Sequence, residues 1–272
     1  MRKFYLPGAG VRLNCLDYGG EGEPPILFIH GGAAHAHWWD FVGQRLGGAC
    51  RSFSIDLRGH GDSDRAAEGD YSVEAHVADL VAALGNWGYG KPVLAAHSGG
   101  CFVALPYAAA HPDSVAGMAI VEPRVHWPPE LLQRAARRNE RPHRRFASLE
   151  EASSSYRFIF PAMGSQPEVL AHVARHSFRQ DADGKWVNKT ERLSMAGILH
   201  VSVMEYAARL RCPALVIRGD HSVHLSVEDA VELTALANAG PAVVISNAQH
   251  NVMLDNPAEV AAALGNFVAG LR

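Results

Sequence analysis

Short apolar runs alternate with amphipathic stretches along most of the chain. The apolar runs fall at 11–17, 25–30, 51–56, 92–97, 116–122, 213–219 and 242–246, and several are bounded by Gly or Pro, as in Pro25-Ile-Leu-Phe-Ile-His30. Strands buried on both faces read this way, because neither face calls for polar positions. Between them, 37–47, 72–86, 99–110, 226–237 and 257–270 carry helical spacing, the last with Pro257 near its start, where a first helical turn tolerates it. Strands alternating with helices predict βαβ units and a mostly parallel sheet. The alternation stops between about 124 and 210. That stretch opens on Trp127-Pro-Pro and reads as several helices without buried strands, with Asp183-Gly184 offering a turn. The expected architecture is an α/β core of 1–123 and 211–272 with an inserted helical cap at 124–210. Arg134, Arg137, Arg138, Arg141, Arg144 and Arg145 in the insert read as a solvated helix face, because Glu130 and Glu140 sit among them.

Composition narrows the class. The 272 residues are 48% hydrophobic and 19% charged, which is globular usage in a chain long enough for one large domain or a domain with an inserted module. The net charge of −3 removes the electrostatic case for a general nucleic-acid binder. No apolar run approaches the roughly 18 residues a membrane span needs, and the N-terminal Met1-Arg-Lys-Phe-Tyr-Leu meets Pro7 and Gly8 before any signal-type apolar core. Cys15, Cys50, Cys101 and Cys212 form no C-x-x-C pair, so a reduced, cytoplasmic protein is expected. The 15 histidines exceed ordinary usage and fit metal binding, acid–base chemistry or neither. No H-E-x-x-H or comparable cluster marks a zinc site, and Asp220-His221 with His224 reads as surface.

The sharpest local signal is Val93-Leu-Ala-Ala-His97-Ser98-Gly99-Gly100, an apolar strand running directly into a helix. A strand that turns this sharply into a helix places a strained Ser at its tip and needs small residues two before and two after it, here Ala96 and Gly100. The segment resembles the nucleophile elbow of the α/β-hydrolase superfamily, usually written G-x-S-x-G, with Ala96 in place of the first Gly. Ile29-His30-Gly31-Gly32-Ala33 is similar to the His-Gly loop of that family, which implies Gly32 and Gly99 as the backbone donors of an oxyanion hole, with Ala33 as the alternative donor if the loop register differs. Asp56-Leu-Arg58-Gly59-His60-Gly61-Asp62-Ser63 resembles the family's structural turn after the next strand. The resemblance places the general base on the loop after the final strand, where Ser246-Asn-Ala-Gln-His250 fits. Oxyanion loop, then Ser, then His is the order of the family, and these elements span nearly the whole chain outside the insert.

The acid departs from the common pattern. Most family members place Asp three residues beyond a Gly after the penultimate strand, but the residue three beyond Gly219 is Ser222, and Asp220 is only one beyond it. A second family position follows the strand before the cap, where this chain has Glu122, as in the haloalkane dehalogenases that carry Glu there. A carboxylate at the end of a buried strand needs a partner such as an imidazole N–H. Glu122 is therefore preferred to Asp220. The dehalogenase likeness does not extend to the reaction, since those enzymes use Asp as nucleophile and this chain has Ser98.

The expected protein is a cofactor-free serine hydrolase that cleaves a small ester through a Ser98–His250–acid triad and an acyl-enzyme. Lactone hydrolysis, C–C bond cleavage and perhydrolysis would use a similar site, and a ligand sensor or a cofactor-free oxygenase or lyase on the same fold are readings of other classes. Trp38, His126 and Trp127 are candidate substrate contacts, with Phe158, Phe160, His176 and His200 also on the cap side, and a lining of this kind suits an aliphatic or aromatic substrate. His35 and His37 read as pocket wall or packing, and His97 as structural. The expected partner is a small-molecule ester or lactone, with no nucleic acid, no membrane span and no metal; a homodimer stays open.

Overall fold

The computed structural model describes every residue except 49, 129, 131, 134–141 and 159–162. Arg134, Arg137, Arg138, Glu140, Arg141 and Phe160 lie outside the described residues. Ten strands run in chain order: β1 (Arg2–Pro7), β2 (Arg12–Gly19), β3 (Ile26–Ile29), β4 (Ser52–Ile55), β5 (Val93–His97), β6 (Gly117–Val121), β7 (Phe178–Gln180), β8 (Trp186–Asn188), β9 (Ala214–Gly219) and β10 (Val243–Ile245). Eight of them form one sheet in the order β1-β2-β4-β3-β5-β6-β9-β10. The first two pairings, β1 with β2 and β2 with β4, are antiparallel, and the rest are parallel.

The central strands are short because both of their faces are buried. On β3, Leu27 and Ile29 enter one core layer while Ile26 and Phe28 enter the other; on β5, Leu94 and Ala96 separate from Val93 and Ala95 in the same way. Helices complete each layer: α1 (Asp40–Leu46) contributes Val42 and α9 (Pro257–Gly270) contributes Leu264 to one face, while α2 (Val73–Gly85) and α3 (Cys101–Ala110) bring Leu80 and Phe102 to the other. Phe28 stacks on Trp39 with ring centroids 4.6 Å apart, so the segment leading into α1 is held flat on the sheet.

Two features differ from the sequence expectation. The edge strand β1 was not anticipated, because only Leu6 of its six residues is buried, and an edge strand that exposes most positions carries little apolar signal. The insert is not wholly helical. It contains α4 (Leu149–Ser154), α5 (Pro167–His176) and α6 (Val203–Ala207), but also the antiparallel hairpin β7–β8, whose turn includes Asp183-Gly184 and which buries Phe178 and Val187. Three-residue strands are too short to show alternation. Phe146, Ala152 and Phe178 form a small core of their own inside the insert.

The turn after β4 is fixed by a buried ion pair. Arg58 Nε donates to Asp79 Oδ2 at 2.6 Å and its Nη2 to Oδ1 at 2.7 Å, a two-pronged contact from the turn to α2. Breaking such a pair leaves a charge buried without its partner. Asp79→Ala is expected to lower unfolding free energy by about 3–5 kcal/mol, measured by urea denaturation; a loss within experimental error would show that the turn holds without it.

Candidate active site

Ser98 follows β5 directly and adopts φ 49°, the left-handed region that a non-glycine residue enters only when its surroundings enforce it. The crossing leaves no room at Gly100, where an added Cβ would lie 2.6 Å from the His30 carbonyl oxygen and 2.9 Å from that of Ile29. Ser98 is thereby lifted off the strand end, and its hydroxyl lies 2.9 Å from His250 Nε2. His250 arrives on the loop between β10 and α8 (Val252–Asp255), and the loop is pinned from two sides. His97 Nε2–H donates to the His250 carbonyl at 2.8 Å, and the Asp220 carboxylate accepts the backbone N–H groups of Asn247 and Ala248, each at 2.9 Å.

Asp220 therefore braces the loop that delivers His250, and the carboxylate that reaches the imidazole belongs to Glu122. Glu122 Oε2 lies 3.4 Å from His250 Nδ1. Its Oε1 accepts the Gly219 N–H at 2.7 Å and its Oε2 the Ser222 hydroxyl at 2.8 Å. The residue has no exposed surface and φ 48° just past β6. Ser222, at the position where a later acid was sought, is instead a donor to the earlier one. Burial pushes the Glu122 carboxyl up to about 7, against the opposing pull of the Gly219 and Ser222 donors. Burial, with His97, His224 and Arg124 nearby, holds His250 well below the usual imidazole range, which keeps its ring neutral at pH 7. A neutral imidazole is the form that can accept a proton from Ser98.

The glycine loop lies against this group. His30 donates from Nδ1 to the Gly31 carbonyl at 2.8 Å and accepts the Leu57 N–H at Nε2 at 3.0 Å, locking the loop after β3 to the turn after β4. A Cβ on Gly31 would stand 3.1 Å from Ser98 Cβ, and one on Gly99 would stand 2.9 Å from the Gly32 nitrogen. Gly32 and Gly99, the two proposed donors, are thus adjacent beside Ser98, while Ala33 turns through φ 60°. Met195 from the insert covers both, because a Cβ on Gly99 would overlap its Cε and one on Gly32 would come within 3.4 Å of its Cγ.

A cavity of about 260 Å³ opens on Ser98 and His250. Trp38 lines it from the core; Arg144, Phe146, Tyr156, Arg157, Phe178 and Arg192 line it from the insert together with Met195. Phe158 meets Trp38 edge-on at 5.6 Å. His126 and Trp127, expected as substrate contacts, are placed elsewhere. The His126 side chain is 75% exposed and its Nε2 lies 3.0 Å from Asp229 Oδ1, while Trp127 packs on Phe102 beneath the Arg124 guanidinium. These contacts draw the chain after Glu122 along the core and away from the Ser98 mouth. His200 is exposed, and His35 is buried with Nε2 2.9 Å from the Ser177 hydroxyl. Met195, Arg192, Tyr156 and Phe178 carried no sequence signal, since turns and a three-residue strand have no period to read.

A profile of the alpha/beta hydrolase fold matches residues 24–257. The chain belongs to the α/β-hydrolase family. It is 26% identical over 253 residues to esterase Rv0045c of Mycobacterium tuberculosis, covering 90% of this chain and 82% of that protein. It is also 26% identical over 264 residues to N-formylmaleamate deformylase of Pseudomonas putida, covering 95% and 93%. Among solved structures, that of E-2-(acetamidomethylene)succinate hydrolase superposes with a TM-score of 0.85 at 22% identity, over 98% of this chain and 99% of that one. Such an identity speaks to the shared fold. Among the described residues of this α/β-hydrolase, no helix is long and apolar enough to cross a membrane.

The two carboxylates are expected to separate by substitution. Glu122→Gln removes the acceptor at His250 Nδ1 and should lower kcat about 10²–10⁴-fold with the fold intact, whereas Asp220→Asn should change kcat only a few-fold and act on stability. Steady-state kinetics with circular dichroism on both variants checks this, and a collapse of turnover in Asp220→Asn alone would overturn the assignment.

Proposed function

We propose that this α/β-hydrolase is a serine esterase in which Ser98 is the nucleophile, His250 the base, and Glu122 the carboxylate that orients it. The observation that carries the reading is the 2.9 Å contact between Ser98 Oγ and His250 Nε2, on a nucleophile strained to φ 49°. A protein that only held a ligand would have no need of that alignment. In the reaction, Ser98 Oγ bonds to the ester carbonyl carbon while its proton passes to His250 Nε2. The carbonyl oxygen becomes an oxyanion facing the Gly32 and Gly99 N–H groups, each such donor contributing about 3–4 kcal/mol in the transition state. The C–O bond to the leaving alcohol breaks as His250 returns the proton to it. Water then attacks the acyl-enzyme, again giving its proton to His250. Glu122 holds Nδ1–H so that Nε2 faces Ser98, and it offsets the positive charge on the ring during each step.

The cavity favours a substrate that carries a carboxylate, in place of the neutral aliphatic or aromatic one anticipated from the sequence. Among the described residues, Arg144, Arg157 and Arg192 outnumber the carboxylate of Glu191 around a space walled by Phe146, Tyr156 and Phe178, so a short acyl group with a charged end would find both apolar contact and cationic donors. The names of the relatives support this: N-formylmaleamate and 2-(acetamidomethylene)succinate are carboxylates. Those names also carry amide bonds, which makes an amide of such an acid the second reading for the scissile group.

Three outcomes follow from these roles. Ser98→Ala is expected to lower kcat/KM on p-nitrophenyl acetate by roughly 10³-fold or more while melting as the parent does; retained turnover in purified variant would remove Ser98 from the mechanism. Glu122 must be ionised to support the base and is held up at about 7, so kcat/KM should fall as pH drops through neutrality, with apparent steps that belong to the Glu122–His250 pair jointly; a flat profile from pH 5 to 8 would contradict the role given to Glu122. Finally, Arg157→Met and Arg192→Met together should reduce kcat/KM for the p-nitrophenyl monoester of succinate about 10–100-fold more than for the acetate. Equal losses on the two esters would show that the arginines do not read the substrate's charge.

A further inference from the structure

Away from Ser98, three further histidines converge where the insert meets the core. His37 sits in the single 3-10 turn Ala36–Trp39 that precedes α1, and His172 and His176 sit one turn apart on α5. One ring nitrogen of each lies within 4.8 Å of the other two. His37 and His176 stack with centroids 3.7 Å apart, and the His172 ring stands 4.6 Å from that of His176. Beneath them lies Asp40, whose carboxylate is almost wholly buried. His37 Nδ1–H and His172 Nε2–H both donate to Asp40 Oδ2, at 2.8 and 2.7 Å, and the Tyr18 hydroxyl donates to Oδ1 at 2.8 Å.

We propose that His37, His172 and His176 bind a zinc-class divalent cation, with Asp40 as the carboxylate that orients two of the three imidazoles. The argument is one of donor chemistry and tautomer. An imidazole ligates through the nitrogen that carries no proton, and metal-bound histidines commonly give their other N–H to a carboxylate, which fixes the ring and raises its basicity. Asp40 does this for His37 and His172 at once, leaving His37 Nε2 and His172 Nδ1 with lone pairs. Asp40 is almost wholly buried and accepts from His37, His172 and Tyr18 together, so it is a fixed acceptor for both rings. Three imidazoles gathered this closely over one buried carboxylate bring their ring nitrogens together, and a cation would give their lone pairs a common acceptor. Zinc–imidazole bonds are about 2.0–2.1 Å, which sets tetrahedral nitrogens about 3.3 Å apart. Reaching that spacing requires the partly buried His172 and His176 side chains to turn and the stacked His37 and His176 rings to splay. A fourth position stays open to water.

The two histidines on α5 have the i, i+4 spacing that places both rings on one helix face, but the third ligand is far away in sequence. That is why the pattern gave no zinc signature there. The cation would tie α5 of the insert to the turn that carries Trp38, a wall of the Ser98 cavity.

The test uses the 272-residue chain without an affinity tag, stripped with chelator and titrated with Zn²⁺ alone. One Zn²⁺ per chain is expected by calorimetry, with a melting temperature that rises with free Zn²⁺ as mass action requires. Co²⁺ in its place should give visible absorption of four-coordinate intensity. His172→Ala/His176→Ala should weaken Zn²⁺ binding at least about 100-fold and abolish the melting shift, read against the metal-free melting temperature of the same variant. Cys212→Ser, which removes the partly buried thiol, should bind as the parent does. No binding up to millimolar Zn²⁺, or undiminished binding by the double histidine variant, would overturn the proposal. Because none of these readouts is turnover, they are independent of the esterase reading.

Discussion

A carboxylate with no exposed surface, placed where β6 ends, is the constraint on which the rest of the site depends. Glu122 can be buried there only because the Gly219 N–H, the Ser222 hydroxyl and the His250 ring all turn toward it. Each of those groups belongs to a different part of the carboxyl edge of the sheet: the end of β9, the loop beyond it, and the loop after β10. Satisfying one charge therefore fixes three loops relative to one another. The position of His250 over Ser98 follows from it, and so does the neutral state of the imidazole, which shares the same dry surroundings. Asp220 holds the same loop from outside by accepting two of its backbone N–H groups. One acid acts on the ring and the other on the chain that presents it.

The core was legible because its strands are buried on both faces and its turns need particular small residues. Ala96, Gly99 and Gly100 around Ser98, and His30-Gly31-Gly32 after β3, announce tight crossings that few other residues could make, and crossings of that kind leave local marks. Strand β1 left none, since only Leu6 of its six residues is buried and its Arg2 and Lys3 pair with Asp17 and Asp62. The acid was harder to place. Glu122 and Ser222 are a hundred residues apart, and only the pairing of β6 with β9 makes them neighbours. Position within a loop thus pointed to two carboxylates, and hydrogen bonding separates their roles.

The insert was legible only in outline. Its strands span three residues each, its helices are short, and the side chains that wall the cavity come from turns and from those short strands. Met195 reaches Gly32 and Gly99 from a segment with no helical or strand period, and Arg192 precedes it in the same segment. His126 and Trp127, which looked well placed by their nearness to Glu122, are held instead by Asp229 and Phe102. The histidine surplus divides along the same line. His30, His60 and His97 each bridge backbone or neighbouring side chains at the core loops, His250 faces Ser98, and His37, His172 and His176 gather where core and insert meet.

The central claim is that Ser98 is an activated nucleophile, and covalent labelling reads this without assuming a substrate. Intact-mass spectrometry of the chain after brief exposure to a fluorophosphonate should show a single adduct, mapped by peptide digestion to Ser98. Its rate of formation should fall sharply in His250→Ala, and it should be absent in Ser98→Ala. No adduct on the parent protein, or an adduct that persists in Ser98→Ala, would contradict the account.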